Sequence, residues 1–232
     1  MQLELIEFES APAPRASLII LHGLGADGQD FVPFCHELEL DGIGPLRFVL
    51  PSAPVIPVSL NGGYPMRAWY DILPRDDARR EDEPSLRATV PLIDALIERE
   101  IARGIPAERI VLMGFSQGCA MTLMCGLRQP HRLAGLIALS GYLPLPATIA
   151  AEANPANRDT PIFMAHGTHD DVVLPARGQA AHDLLRQLGY AIDWHSYPMA
   201  HNLCLDEVTD INAWLKGVLG PKAAFGQLDQ TA

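Results

Sequence analysis

Ser116 stands in Gly114-Phe115-Ser116-Gln117-Gly118, between Ile110 to Gly114, which reads as a buried strand, and Gln117 to Arg128, which reads as a helix. A serine fenced by glycines at that junction is a nucleophile elbow: the hydroxyl is exposed on a sharp turn, and the glycines stand where strand and helix crowd together. A hydroxyl becomes a useful nucleophile only when an imidazole takes its proton and a carboxylate holds that imidazole in the right tautomer. With elbows of this kind the acid follows the serine and the histidine comes last. The acid position falls in the turn Gly167 to Pro175, on Asp170 or its neighbour Asp171, one of which caps the next helix or faces solvent. Three histidines follow. His182 sits inside a helical run and His195 alternates with Trp194 and Ser196 in a strand, whereas His201 lies on a loop before the last helix and fits the base.

Acyl transfer also requires hydrogen-bond donors aimed at the oxyanion of its tetrahedral intermediate. One is the backbone N–H of Gln117, which also opens a helix whose dipole favours negative charge. The second belongs to the loop after an early strand, here His22-Gly23-Leu24-Gly25, with Leu24 as the candidate donor.

These residues need a frame, and apolar β-rich runs supply one: Leu18 to His22, Phe48 to Leu50, Ile110 to Gly114, Gly135 to Ser140, Ile162 to His166 and Ala191 to Tyr197. They alternate with helical patterns near Gln29 to Leu38, Ser85 to Arg103, Gln117 to Arg128, Pro175 to Leu188 and Asp206 to Leu219. Such alternation predicts an α/β fold, a mostly parallel sheet with helices on both faces. Leu3 to Phe8 alternates apolar and polar residues and reads as an antiparallel edge strand. Leu86, Val90, Ile93, Leu96 and Ile97 form the core-facing stripe of one helix. From Pro51 to Pro84 no period is sustained, and a segment of that length inside a compact domain is usually functional or disordered. Its Leu60, Tyr64, Met66, Trp69 and Tyr70 favour an ordered wall of a cleft, with Leu60, Met66 and Trp69 as the substrate groove.

Composition narrows the chemistry. The 17 Lys+Arg against 28 Asp+Glu give a net charge of −11, which argues against a nucleic-acid partner and suits a small acyl or neutral substrate. No stretch approaches the ~18 uninterrupted apolar residues of a membrane span, and the N-terminus lacks a signal pattern, so a cytoplasmic protein without stable membrane insertion is expected. Cys35, Cys119, Cys125 and Cys204 form no C-x-x-C pair and read as reduced, mostly buried thiols. One domain over 1–219 is expected, followed by a 220–232 tail that lacks a helical face and reads as flexible or as an arm on a neighbouring subunit.

Taken together, the chain resembles the acyl-protein thioesterase and carboxylesterase (phospholipase/carboxylesterase) family of small α/β-hydrolases. The resemblance is carried by His22 to Asp27, Pro51-Ser52-Ala53-Pro54, Asn61-Gly62-Gly63, Met66 to Asp71, the elbow, His166 to Asp170 and Met199-Ala200-His201. It implies an α/β-hydrolase fold without a large cap domain and a triad of Ser116, Asp170 and His201. It further implies an oxyanion hole at Leu24 and Gln117, Trp69 beside the acyl channel, and hydrolysis of carboxylic esters or acyl thioesters, with acylated proteins among the candidate substrates. Neither a metal nor an organic cofactor is implied, and a homodimer is. Cys119 departs from the family pattern, which has a second small residue there; the reading is tighter packing behind the elbow.

Other readings compete. A peptidase or amidase on the same fold would normally carry a cap or propeller to select peptides, for which this chain has no room. His166, His169, Asp170 and Asp171 could form a metal site, since imidazole and carboxylate suit zinc or manganese. A non-catalytic binding module would usually lack one of the three triad positions.

Overall fold

The computed structural model describes residues 3–74 and 79–221, so the expected tail lies, beyond its first two residues, outside them. The chain runs β1 (Glu4–Glu9), β2 (Ala16–Leu21), α1 (Val32–His36), β3 (Leu46–Ser52), β4 (Val55–Val58), β5 (Tyr64–Arg67), β6 (Ile72–Pro74) and β7 (Arg79–Glu81). It continues α2 (Glu83–Ala102), β8 (Ile110–Phe115), α3 (Gln117–Gly126), β9 (Gly135–Leu139), α4 (Ile149–Glu152), β10 (Ile162–Gly167), α5 (Pro175–Gln187), β11 (Ile192–Tyr197) and α6 (Leu205–Leu219).

Seven strands form one sheet in the order β1-β3-β2-β8-β9-β10-β11. β1 pairs antiparallel with β3, and every other neighbouring pair is parallel. Interior parallel strands are covered on both faces, which is why Leu18 to Leu21 of β2, Phe48 to Leu50 of β3 and the whole of β9 read as apolar runs, and all three strands are buried throughout. Alternate residues feed opposite cores. Ile19, Leu21 and Leu112 meet Leu86, Ile93 and Ile97 of α2 and the apolar residues of α3, while Leu18, Ile20 and Val111 meet Phe34 of α1 and Ile211 and Leu215 of α6. The predicted doubly covered sheet is therefore the observed one.

Three local expectations change. The helix expected over Gln29 to Leu38 is a 3-10 turn, Gly28–Phe31, followed by the five-residue α1. Asp27 caps the first piece and Pro33 opens the second, so the run holds two helix starts rather than one. The helix expected from Ser85 starts at Glu83, because Asp82 is its N-cap and accepts from Ser85 N–H at 3.0 Å. The segment Pro51 to Pro84 holds two antiparallel hairpins, β4–β5 and β6–β7. They escaped the pattern because Val55-Ile56-Pro57-Val58 and Tyr64-Pro65-Met66-Arg67 are only four residues long and each carries a proline, too little sequence to establish a strand period. Gly62 and Gly63, at φ +66° and +79°, turn the first hairpin.

Candidate active site

Strand order reverses beside β2: β3 lies on one side and β8, the next strand of the large sheet, on the other. Open parallel sheets bind ligands at the carboxyl ends of the strands flanking such a reversal. Leu21 pairs with Gly114 across β2 and β8, so the residues that follow, His22-Gly23-Leu24 and Ser116, emerge side by side there. Ser116 adopts φ +56° and ψ −115°, and its N–H donates to Leu139 O at 2.9 Å. A non-glycine residue held at positive φ is strained, and here the strain turns the side chain off the sheet edge. The two flanking glycines are needed for close approach. A Cβ on Gly118 would overlap Leu21 O, and one on Gly114 would overlap Gly118 O and stand 2.6 Å from Thr122 Oγ1.

Asp170 and His201 come from the loops after β10 and β11, two and three strands beyond β8. His201 Nε2 lies 2.8 Å from Ser116 Oγ, and His201 Nδ1 lies 2.7 Å from Asp170 Oδ2. Asp170 is 3 % exposed; its Oδ1 accepts from the N–H groups of Val172 and Val173 at 2.9 and 2.8 Å. Asp171 is exposed. Phe115 packs its ring 4.8 Å from the His201 ring, restricting the imidazole from the other side. A hydroxyl, an imidazole and a carboxylate thus form one continuous hydrogen-bonded chain. His182 instead bonds Gln179 and Asp183 on α5, and His195 stacks on Phe163 and Tyr197.

The turn after β2 is equally constrained. Gly25 N–H donates to Arg67 O and Ala26 N–H to Gly23 O, leaving Leu24 N–H as the candidate donor beside Ser116. Gln117 is the first residue of α3, where N–H groups have no intrahelical acceptor. Fully buried His22 accepts from Ala53 N–H at Nε2, 2.9 Å, so its proton sits on Nδ1 and is donated to Gly23 O at 2.7 Å. Burial pushes its pKa below the ordinary 6.5, which keeps the ring neutral.

Trp69 requires a correction. It was expected beside the acyl channel but is 1 % exposed and lines neither recess at Ser116. Its Nε1–H donates to His22 O at 2.8 Å and its N–H to Gln117 Oε1 at 2.8 Å, so it braces the Leu24 turn from behind. Met66 also lines neither recess; its Sδ accepts from Asn61 Nδ2, 3.3 Å away. Leu60 does reach Ser116, in a recess shared with Ile72, Tyr142 and Val173. Sequence reasoning assigned no role to His22, Tyr142 or Arg177; only His22, quoted within the glycine turn, carried a local signal.

The four residues weighed as a metal site do not converge. His166 and Asp170 are buried whereas His169 and Asp171 are exposed, and among the described residues no group of three or more His, Cys, Asp or Glu could hold an ion. His166 Nε2 instead lies 2.8 Å from Val173 O and 3.3 Å from Asp170 Oδ2. Cys119 is accommodated by the glycine that faces it: a Cβ on Gly141 would stand 2.5 Å from Cys119 Sγ. Burial pushes the Cys119 thiol up to about 12, which leaves it unreactive.

Comparison with known proteins identifies the family. The model of the phospholipase/carboxylesterase family matches residues 4–219. Acyl-protein thioesterase 1 of Neurospora crassa is 42% identical over 219 residues, covering 90% of this chain and 89% of that one. Its counterpart in Yarrowia lipolytica is 36% identical, covering 91% and 95%. The crystal structure of Arabidopsis thaliana SOBER1 superposes with a TM-score of 0.83 at 33% identity, covering 88% of this chain and 99% of that one. The chain belongs to the phospholipase/carboxylesterase family, and with it to the serine hydrolases of the α/β-hydrolase fold.

Proposed function

We propose that the protein hydrolyses carboxylic esters and acyl thioesters through a Ser116 acyl-enzyme. The supporting observation is the unbroken chain from Ser116 Oγ through His201 to Asp170 at 2.8 and 2.7 Å, on a serine held at positive φ. His201 takes the Ser116 proton as the hydroxyl oxygen attacks the acyl carbonyl, and the oxyanion that forms is held by the N–H groups of Leu24 and Gln117. The proton then passes from Nε2 to the departing alkoxide or thiolate as its bond to the acyl carbon breaks. Water repeats the sequence in reverse, the imidazole serving first as base and then as acid. Asp170 holds the Nδ1–H tautomer throughout and stays ionised.

Replacing Ser116 by Ala is the decisive test. Near-normal turnover of p-nitrophenyl butyrate by S116A would sink the mechanism, as would a wild-type Ser116 inert to a fluorophosphonate probe. Aminoacyl anilides separate this reading from an amidase, which would cleave them. An S-acylated peptide tests the thioester arm, since the relatives named above include acyl-protein thioesterases. A cytosolic setting is supported by four free cysteines. A homodimer contact is supported by Val55 and Tyr64, exposed at 60 % and 67 % on the β4–β5 hairpin. Sedimentation of wild type beside a Val55→Asp, Tyr64→Ser double variant tests it, a monomeric wild type counting against the dimer.

A further inference from the structure

Two recesses meet at Ser116, and the direction of proton transfer assigns them. His201 must hand its proton to the leaving group, so the leaving group lies on the His201 side. That side opens as a groove of about 440 Å³ walled by Ala26, Phe31, Phe115 and Leu203. The acyl portion lies opposite, past Gln117, in a narrow recess of about 70 Å³. Its walls include Leu60, Ile72, Val172 and Val173, and also two arginines, Arg80 and Arg177.

A plain hydrocarbon chain gives no reason for cations in that wall, since desolvating a charge against it costs free energy. These two are also unlike many arginines of the chain. Arg47, Arg67, Arg87, Arg99, Arg103 and Arg128 all pair with glutamates. Among the described residues, neither Arg80 nor Arg177 forms an ion pair. Arg177 is held in place: its guanidinium lies 3.5 Å from the centroid of the Tyr142 ring, and the Tyr142 hydroxyl lies 2.8 Å from that of buried Tyr70. Glu81, which shares an adjoining recess with Arg177, is engaged instead, its Oε1 accepting from Leu145 N–H at 3.2 Å.

We propose that the acyl recess takes a short chain ending in a carboxylate, with Arg177 and Arg80 binding that distal carboxylate. The substrate class is then the half-esters or half-thioesters of dicarboxylic acids. A planar guanidinium is suited to a carboxylate, and the small volume limits the spacer between the two carbonyl carbons. This assignment rests on the ester-hydrolase reading above and narrows it.

The test compares kcat/KM for monophenyl glutarate and monophenyl adipate with that for phenyl pentanoate and phenyl hexanoate, normalised to sites titrated by a fluorophosphonate. Wild type favours the charged member of each pair, and the charged-to-neutral ratio falls roughly tenfold or more in Arg177→Gln, the scale of a lost hydrogen bond to a charged group. Arg80→Gln, at an exposed side chain, lowers the same ratio and carries the test if the Arg177 variant does not fold. Hydrolysis of neutral esters without preference for the charged ones overturns the proposal and leaves the hydrolase reading intact. A preference unchanged in both variants also overturns it. Hydrolysis of none of the four esters, with Ser116 unlabelled, defeats the hydrolase reading instead.

Discussion

The Gln117 side chain clamps the backbone of two successive residues: Oε1 accepts from Trp69 N–H at 2.8 Å and Nε2 donates to Tyr70 O at 2.7 Å. The residue proposed to donate its amide to the oxyanion therefore also pins the strap behind the Leu24 turn. Gln117→Ala orphans two buried backbone groups at about 1–3 kcal/mol each. A drop of that order in unfolding free energy from urea titration is expected. Gln117→Glu keeps the acceptor but loses the donor and buries a charge, so at neutral pH it should be no more stable than the alanine variant.

Asp170 and Asp171 are neighbours with opposite settings, one buried against His201 and one exposed. Asp170→Asn keeps the shape but presents an amide that favours the wrong imidazole tautomer, a change that costs on the order of 10⁴-fold in kcat where such a triad has been dissected. Asp171→Asn should stay within about twofold of wild type, as surface substitutions usually do. Steady-state kinetics of the two variants on one ester decide it; equal losses would reassign the acid.

Gly178 lies on α5, where alanine would ordinarily stabilise a helix by roughly 1 kcal/mol. Here a Cβ would press on His166 Nδ1 and stand 3.0 Å from its Cε1. His166 touches both Val173 O and Asp170. Gly178→Ala should therefore lower the melting temperature and reduce kcat more than it raises KM. A variant more stable than wild type would contradict the packing argument.

Glu207, in the first turn of α6, is fully buried, and neither carboxylate oxygen has a hydrogen-bond partner among the described residues. Burial pushes its pKa from 4.5 up to about 8, with the Cys204 backbone only partly offsetting this. The unfolded chain ionises Glu207 near its ordinary value while the folded chain keeps it protonated. The folded state thus binds the extra proton, and stability falls as pH rises from about 5 through 8. The span corresponds to roughly 4–5 kcal/mol. Thermal scans should show wild type losing stability across that range and Glu207→Gln losing much less; parallel curves for the two would refute the assignment.

Sheet strands and the order serine, acid, histidine were legible because each left a one-dimensional trace: apolar runs for buried strands, and loops placed after them. Leu18 to His22 and Ile162 to His166 match β2 and β10 within two residues at either end. Trp69 misled because a large aromatic beside a glycine-rich segment reads equally well as a wall or as a brace; only its two hydrogen bonds distinguish them. Arg177 gave no signal, since its meaning depends on Tyr142, 35 positions earlier, standing under its guanidinium. The hairpins were hidden for a related reason: their strands, three or four residues long, pair with each other and are too short to establish a period.

The loops after β10 and β11 are sewn together by Thr168 N–H to Tyr197 O and His169 N–H to Met199 O, at 2.8 and 3.0 Å, and Gly167 lies so close that a Cβ would overlap Met199 O and Ala200 O. The loops that carry Asp170 and His201 are thus bonded directly to each other, while Ser116 is held separately, between β8 and α3. A substitution that draws Ser116 away from His201 without disturbing these bonds leaves the contact between the imidazole and Asp170 in place.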